Sequence, residues 1–167
     1  APRRRRSGEG GRALVNAALV LRRGEVAAEI GKALLPTYDV FDERRYFEPA
    51  PRGANRVVTI GGRQVGIVIC EDLWNDRLLW PAPRLYEFDP VAEAIEQGAT
   101  MLVDLSASPF VKRKHETRRR IVAHAARRWR VPVVYVNAVG AQDGLIFDGN
   151  SMAFAPEGQL VTLPWFE

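Results

Sequence analysis

Apolar positions along this chain fall mainly in short, β-branched runs divided by glycine, proline and charged residues, with two stretches of helical period between them. Residues 16–22 read as a strand, Arg23-Gly24 as a turn and residues 25–30 as the returning strand, a hairpin. Leu35-Pro36 ends regular structure, because proline lacks an N–H and restricts the residue before it. Residues 37–55 read as a long loop carrying Tyr38, Phe41, Tyr46 and Phe47; such loops in compact domains usually serve function. Residues 57–60, the Gly61-Gly62 turn and residues 64–69 predict a second hairpin, and residues 75–86 a loop. A short helix over 90–97 opens on Pro90 and stops at Gly98; a strand follows over 101–105. Residues 112–129 predict a helix with Ile121, Val122, Ala125 and Ala126 as its apolar stripe and its basic residues facing out. Strands over 131–137, 145–147, 151–155 and 159–162 complete the chain, with a loop over 140–144. Hairpins at both ends enclose a β-α-β-α-β core, which is an α/β pattern.

Within that pattern one stretch stands out: Ile67-Val68-Ile69-Cys70-Glu71-Asp72-Leu73-Trp74. A buried strand here delivers the only cysteine to its carboxyl end, where open α/β sheets keep their ligands. The polar ends of the neighbouring strands, Ser106, Ser108 and Asn137, should fall along the same edge. A cysteine in this setting is either a nucleophile or a buried structural residue, and the local sequence leaves both open.

Composition narrows the classes. The apolar and charged fractions, 47% and 26%, are those of an ordinary soluble domain. One cysteine excludes an intrachain disulfide and fits a reducing, cytoplasmic setting. No run is long and apolar enough to span a membrane, and Arg3-Arg4-Arg5-Arg6 leads into Ser7-Gly8-Glu9 rather than an apolar signal core. Residues 1–12 read as a flexible lead-in. The net charge of +4 comes from arginines spread along the chain without interleaved aromatics, a solvated surface rather than a nucleic-acid site. His115 and His124 lie nine residues apart on different faces of one helix, which supports neither a Cys-His pair nor a metal site. The remaining candidates for chemistry are Lys32, Glu43, Glu71 and Asp72. Lys32 is the only lysine in the first 111 residues, and lysine, unlike arginine, changes its protonation state when buried.

Four segments taken together resemble the nitrilase, or carbon-nitrogen hydrolase, superfamily, and most closely the glutaminase (glutamine amidotransferase) domain of glutamine-dependent NAD+ synthetases. They are residues 32–47 (KALLPTYDVFDERRYF), 66–74 (GIVICEDLW), 105–110 (LSASPF) and 136–149 (VNAVGAQDGLIFDG). The resemblance implies an α-β-β-α sandwich and a Glu-Lys-Cys triad. In it Cys70 is the nucleophile that attacks the side-chain amide of glutamine, Lys32 stabilises the oxyanion, and Glu43 is the additional glutamate that orients them. Tyr38, Glu71, Trp74, Ser108 and Lys114 match positions that hold glutamine. The glutaminase step needs no cofactor; ATP and Mg belong to a synthetase domain, and the family tends to form homo-oligomers.

Two departures from the family pattern bear on what is expected of residues 13–167. The triad glutamate of the family lies in a Phe-Pro-Glu-type segment well ahead of the lysine. Glu9, Glu25 and Glu29, the glutamates before Lys32, sit in no such segment. The synthetase domain is also absent from the sequence. The expectation is therefore a sandwich lacking its N-terminal unit, with little glutaminase turnover by itself. The alternatives are a non-catalytic interaction domain of the same fold, or an amidase acting on another amide. A smaller departure is Arg113, which stands where the family usually has glycine.

Overall fold

The computed structural model describes residues 2–4, 14–79 and 86–167. Its centre is a six-stranded sheet built on three parallel strands, β5 (Arg63–Val68), β6 (Met101–Ser106) and β7 (Val133–Asn137). Antiparallel strands extend both sides: β4 (Val57–Ile60) beside β5, then β10 (Met152–Ala155) and β11 (Gly158–Thr162) beside β7. The parallel trio is joined by helical crossovers, α2 (Pro90–Glu96) and α3 (Lys114–Trp129). Asp89 caps α2 by accepting from the N–H groups of Val91 and Ala92.

Both faces of this sheet are covered, so its central strands read as continuous apolar runs. Val68, Leu102, Val133 and Tyr135 pack on Val91 and Ala94 of α2 and Ile121, Val122, Ala125 and Ala126 of α3. Gly66 lets α2 and the segment after it sit close: a Cβ there would lie 3.1 Å from Ala94 of α2, 2.9 Å from Ala99 and 2.8 Å from Leu102. On the other face Val65, Ile67 and Ile69 meet Ala18 and Ile30 of a second sheet, formed by β2 (Leu14–Arg22) and β3 (Glu25–Gly31). These are three layers, α-β-β, of the expected sandwich; among the described residues no second helical layer covers β2 and β3.

Most predicted elements are present, with four corrections. Pro2–Arg4, placed in the flexible lead-in, form strand β1 along β2, since a ladder bonds backbone whatever the side chains are; residues 5–13 lie outside the described ones. The long aromatic loop contains one helical turn, α1 (Glu43–Tyr46). The loop over 140–144 is largely a second small hairpin, β8 (Val139–Gln142) with β9 (Leu145–Asp148), because Asp143-Gly144 makes the tight turn, with Asp143 at φ of +51°. Lastly, α3 does not turn all its basic residues outward, as Arg118 is fully buried.

Candidate active site

Beyond β5 the chain does not run straight into its loop. Cys70 opens a one-turn 3-10 helix, Cys70–Leu73, with φ of +50°, a left-handed conformation that costs a non-glycine residue about 1–2 kcal/mol. The turn presents the thiol above the carboxyl ends of β5, β6 and β7. There Cys70, Ser106 and Asn137 line one cavity of about 380 Å³ with Lys32, Glu43 and Asn16.

Lys32 follows directly on β3, anchored by its N–H to Asn16 O at 2.7 Å, and is buried. Its ammonium donates to Glu43 Oε1 at 2.5 Å. Burial alone would pull its pKa down, but Cys70 and Glu43 outweigh that and raise it, so Lys32 stays a cation. Glu43 reaches it as the first residue of α1, and Asn16 Nδ2 lies 3.5 Å from its second oxygen. Burial pushes the Cys70 thiol up to about 11 against the opposing pull of Lys32. A fixed cation, Lys32, is thus placed to stabilise negative charge on the sulfur or on an oxygen bound to its target.

Asp72 ties the two halves of this centre together. Its buried carboxylate accepts from the N–H groups of Ala33 (3.1 Å) and Leu34 (2.8 Å), just after Lys32, and from Ile69 N–H (3.2 Å), just before Cys70. Burial raises its pKa to about 6, although Arg56 and these donors act the other way.

A second cluster adjoins Cys70. The Tyr38 hydroxyl donates to the Glu71 carboxylate, 2.8 and 2.7 Å from its oxygens, and Tyr86 bonds the same carboxylate. Burial raises Glu71 above the usual carboxylate range. Lys114, at the start of α3, places its ammonium 5.7 Å from the centre of the Trp74 ring. Burial, then Arg118, lowers its pKa, while Cys70 and Glu71 act to raise it.

Ser108 is buried behind this cluster. Its N–H donates to Asn137 Oδ1 at 2.8 Å and its hydroxyl accepts from Arg118 Nε at 3.2 Å. Arg118 also donates through Nη2 to the carbonyls of Ser108 and Pro109 and through Nη1 to both Asp148 oxygens, at 2.8 and 2.9 Å. One buried guanidinium thus fixes the Ser108 loop onto β9. Arg113 just before α3 has φ of +67°, which accounts for glycine being usual there; its guanidinium pairs with Glu116 at 3.1 Å.

Of the residues expected at the site, Cys70, Lys32 and Glu43 line the cavity, while Tyr38, Glu71, Trp74 and Lys114 form the adjoining cluster. Ser108 is present but turned into the protein. Arg118, Asp148, Asn16 and Tyr86 carry positions that the sequence reading did not assign. Arg118 had a signal, because it continues the stripe of Ile121, Val122, Ala125 and Ala126 by one turn. His115 packs on Trp165 and His124 pairs with Asp76 at 3.0 Å, both away from the thiol. Among the described residues no group of three or more His, Cys, Asp or Glu could hold a metal, and no helix is long and apolar enough to cross a membrane.

A parallel sheet covered by helices on one face and a second sheet on the other, with a cysteine turn and a buried Lys-Glu pair at its edge, defines a class. The chain belongs to the carbon-nitrogen hydrolase family, whose pattern matches residues 1–167. It is 41% identical to the glutamine-dependent NAD(+) synthetase of Synechocystis over 92% of its length, and 42% identical to that of Xanthomonas campestris over 89%. It spans about a quarter of the length of these relatives, 27% and 25%. Among solved structures it superposes on the glutamine-dependent NAD+ synthetase of Acinetobacter baumannii with a TM-score of 0.83 and 29% identity, covering 99% of this chain and 28% of that one. A Nesterenkonia amidase gives 0.66 and 25%, over 84% of this chain and 47% of that one; it was solved with the acetamide moiety of fluoroacetamide covalently added at its active-site cysteine.

Proposed function

We propose that this chain is the part of a glutaminase that holds its nucleophile, Cys70, for hydrolysis of the side-chain amide of glutamine and supply of ammonia for NAD+ synthesis, with little turnover by the chain alone. The observation that carries the reading is the buried Lys32–Glu43 pair beside a cysteine held in a left-handed turn above three parallel strand ends. In this reading the Cys70 thiolate attacks the amide carbon. The oxyanion that forms is met by the Lys32 ammonium and the backbone N–H of Glu71. The proton taken from the thiol passes by way of the family's base to the amide nitrogen as the C–N bond breaks, ammonia leaves, and water hydrolyses the thioester to glutamate, its own proton returning to the thiolate. Glu43 keeps Lys32 charged and aimed.

Glutamine is favoured by the adjoining cluster. Glu71, steadied by Tyr38 and Tyr86, suits an α-ammonium; Lys114 and the Ser108 loop suit an α-carboxylate; Trp74 gives the methylenes an apolar wall. The names of the relatives and the cysteine adduct of the Nesterenkonia amidase support both substrate and nucleophile. The family assigns the general base to a glutamate ahead of the lysine. Glu25 and Glu29 are exposed on β3 and line no part of the cavity, and Glu9 is outside the described residues. Passing ammonia to an ATP-activated NAD+ precursor belongs to a synthetase domain such as the relatives carry.

The test is ammonia release from glutamine by this chain extended to carry the family's triad glutamate. Cys70→Ala is expected to abolish it and Lys32→Ala to lower it at least about a hundredfold, the scale of losing an oxyanion stabiliser. Unchanged turnover by Cys70→Ala would remove the covalent mechanism.

A further inference from the structure

Asn16 is out of place in its strand. β2 reads Leu14-Val15-Asn16-Ala17-Ala18-Leu19-Val20, and asparagine is disfavoured in such company. Side chains alternate along a strand, so Asn16 shares a face with Ala18, which packs between the two sheets. The pairing of β2 with β3 sets Ala18 opposite Ile30 and Ala17 opposite Gly31. Carried one residue on, it sets Asn16 opposite Lys32, and the Lys32 N–H donates to Asn16 O at 2.7 Å. Both side chains line the cavity that Cys70 lines. Glu43 meets this pair from α1: the Lys32 ammonium donates to its Oε1 at 2.5 Å and Asn16 Nδ2 to its Oε2 at 3.5 Å. Each carboxylate oxygen thus has its own donor, one charged and one neutral.

We propose that Asn16 is a positioning residue for Lys32, acting through Glu43: its amide holds the second carboxylate oxygen, so that Glu43 keeps one orientation and directs the ammonium into the cavity. The last torsion of a glutamate side chain is soft, so a carboxylate tied by one oxygen turns and carries its partner with it. One tied by both oxygens does not. The group on β2 must also be a neutral donor. Aspartate there would set a second carboxylate against Glu43 and compete for the ammonium. Alanine would take the donor from Oε2 in a half-buried site. Asparagine is the residue of this size that donates without carrying charge. Asn16 touches no reacting atom in the scheme above. Cys70 feels it through Lys32, whose charge draws the thiol down against burial.

The proposal rests on the reading of Cys70 and Lys32 given above only for its effect on turnover, so its first test needs none. The rate at which iodoacetamide alkylates Cys70 at neutral pH is measured in the wild type, Asn16→Ala, Asn16→Asp, Glu43→Ala and the double variant Asn16→Ala/Glu43→Ala. Asn16→Ala is expected to lower the rate about tenfold, the effect of moving the thiol's titration by about one pH unit. Asn16→Asp keeps the size and removes the donor, and should lower the rate at least as far. In the Glu43→Ala background, Asn16→Ala should change the rate by less than about twofold, because the group it acts through is gone. A general loosening of β2 would instead lower the rate equally in both backgrounds. In the chain extended to carry the family's triad glutamate, Asn16→Ala should lower kcat for glutamine about tenfold and leave KM within about twofold, since other residues hold the amino-acid end. A wild-type alkylation rate in Asn16→Asp, equal losses in the two backgrounds, or a raised KM at unchanged kcat would each overturn the proposal. Full ammonia release by Cys70→Ala would instead overturn the nucleophile and leave the tie between Asn16, Glu43 and Lys32 standing.

Discussion

Asp72→Ala removes the acceptor that joins the Lys32 segment to the Cys70 turn. Three N–H groups, of Ala33, Leu34 and Ile69, lose partners now at 3.1, 2.8 and 3.2 Å. All three residues are buried, so water does not replace the carboxylate. Each orphaned donor costs about 1–3 kcal/mol, together about 3–9 kcal/mol. Against this, the substitution removes a carboxylate whose burial raises its pKa from 3.8 to about 6, equivalent to about 3 kcal/mol. The net loss is then about 0–6 kcal/mol, with a central value near about 3 kcal/mol, a large share of the 5–15 kcal/mol typical of a domain. Asp72→Asn keeps an oxygen for Leu34 and turns an amide N–H against Ile69 N–H, so its loss is nearer about 1–3 kcal/mol.

Urea unfolding should place the asparagine variant between wild type and alanine. The folded state holds the Asp72 proton that the unfolded chain has already released. Wild-type stability from this group is therefore full below about pH 4 and declines as pH rises to about 6, so the gap to Asp72→Ala narrows over that window. Variants that unfold with the wild type at every pH would show that the three N–H groups find other partners, and the reasoning would be wrong.

Three further outcomes are expected. Asp104→Asn should gain on the wild type as pH rises from about 4 to about 8, by about 1.4 kcal/mol per pH unit at most, since over that window the folded wild type keeps a proton that its unfolded chain releases; parallel urea midpoints would contradict this. Cys70→Gly should lose ammonia release without losing stability, because glycine accepts φ of +50°, whereas the β-branched Cys70→Val should lose both; equal melting temperatures for the two would remove the strain argument. Arg118→Met should cost about 3–5 kcal/mol, because it leaves the Asp148 carboxylate buried and unpaired, and double replacement with Asp148→Leu should recover part of that loss in thermal melts.

The sequence was most informative where one residue type had one physical use. The run from Ile67 to Ile69 could only be a buried strand, and it put Cys70 at a sheet edge together with Ser106 and Asn137. A lone lysine among arginines pointed to Lys32. The motif resemblance then supplied Glu43, Tyr38, Glu71, Trp74 and Lys114, which the fold places within two adjoining clusters. What remained hidden depended on pairing across long separations. Arg118 lies in a run of three arginines, and only Asp148, thirty residues on in another element, gives it reason to be buried. Asp72 looked like a second site carboxylate, yet its partners are backbone N–H groups that no side-chain pattern reveals. The left-handed turn at Cys70 was invisible for a related reason, as cysteine carries no preference for positive φ. Asp104 carried no assignment, because its side-chain hydrogen-bond partner, Ser106, lies two residues on in the same strand and gives no long-range pattern.

The central claim is that Cys70 forms a covalent acyl intermediate with glutamine, made possible by Lys32. It is tested most directly by acid-quenching the protein, extended to carry the family's triad glutamate, during turnover of glutamine and weighing the peptide that contains Cys70. The account predicts a glutamyl adduct on that peptide in the wild type, none in Cys70→Ala, and much less in Lys32→Ala. Ammonia release with no adduct on Cys70, or with undiminished rate in Cys70→Ala, would contradict it.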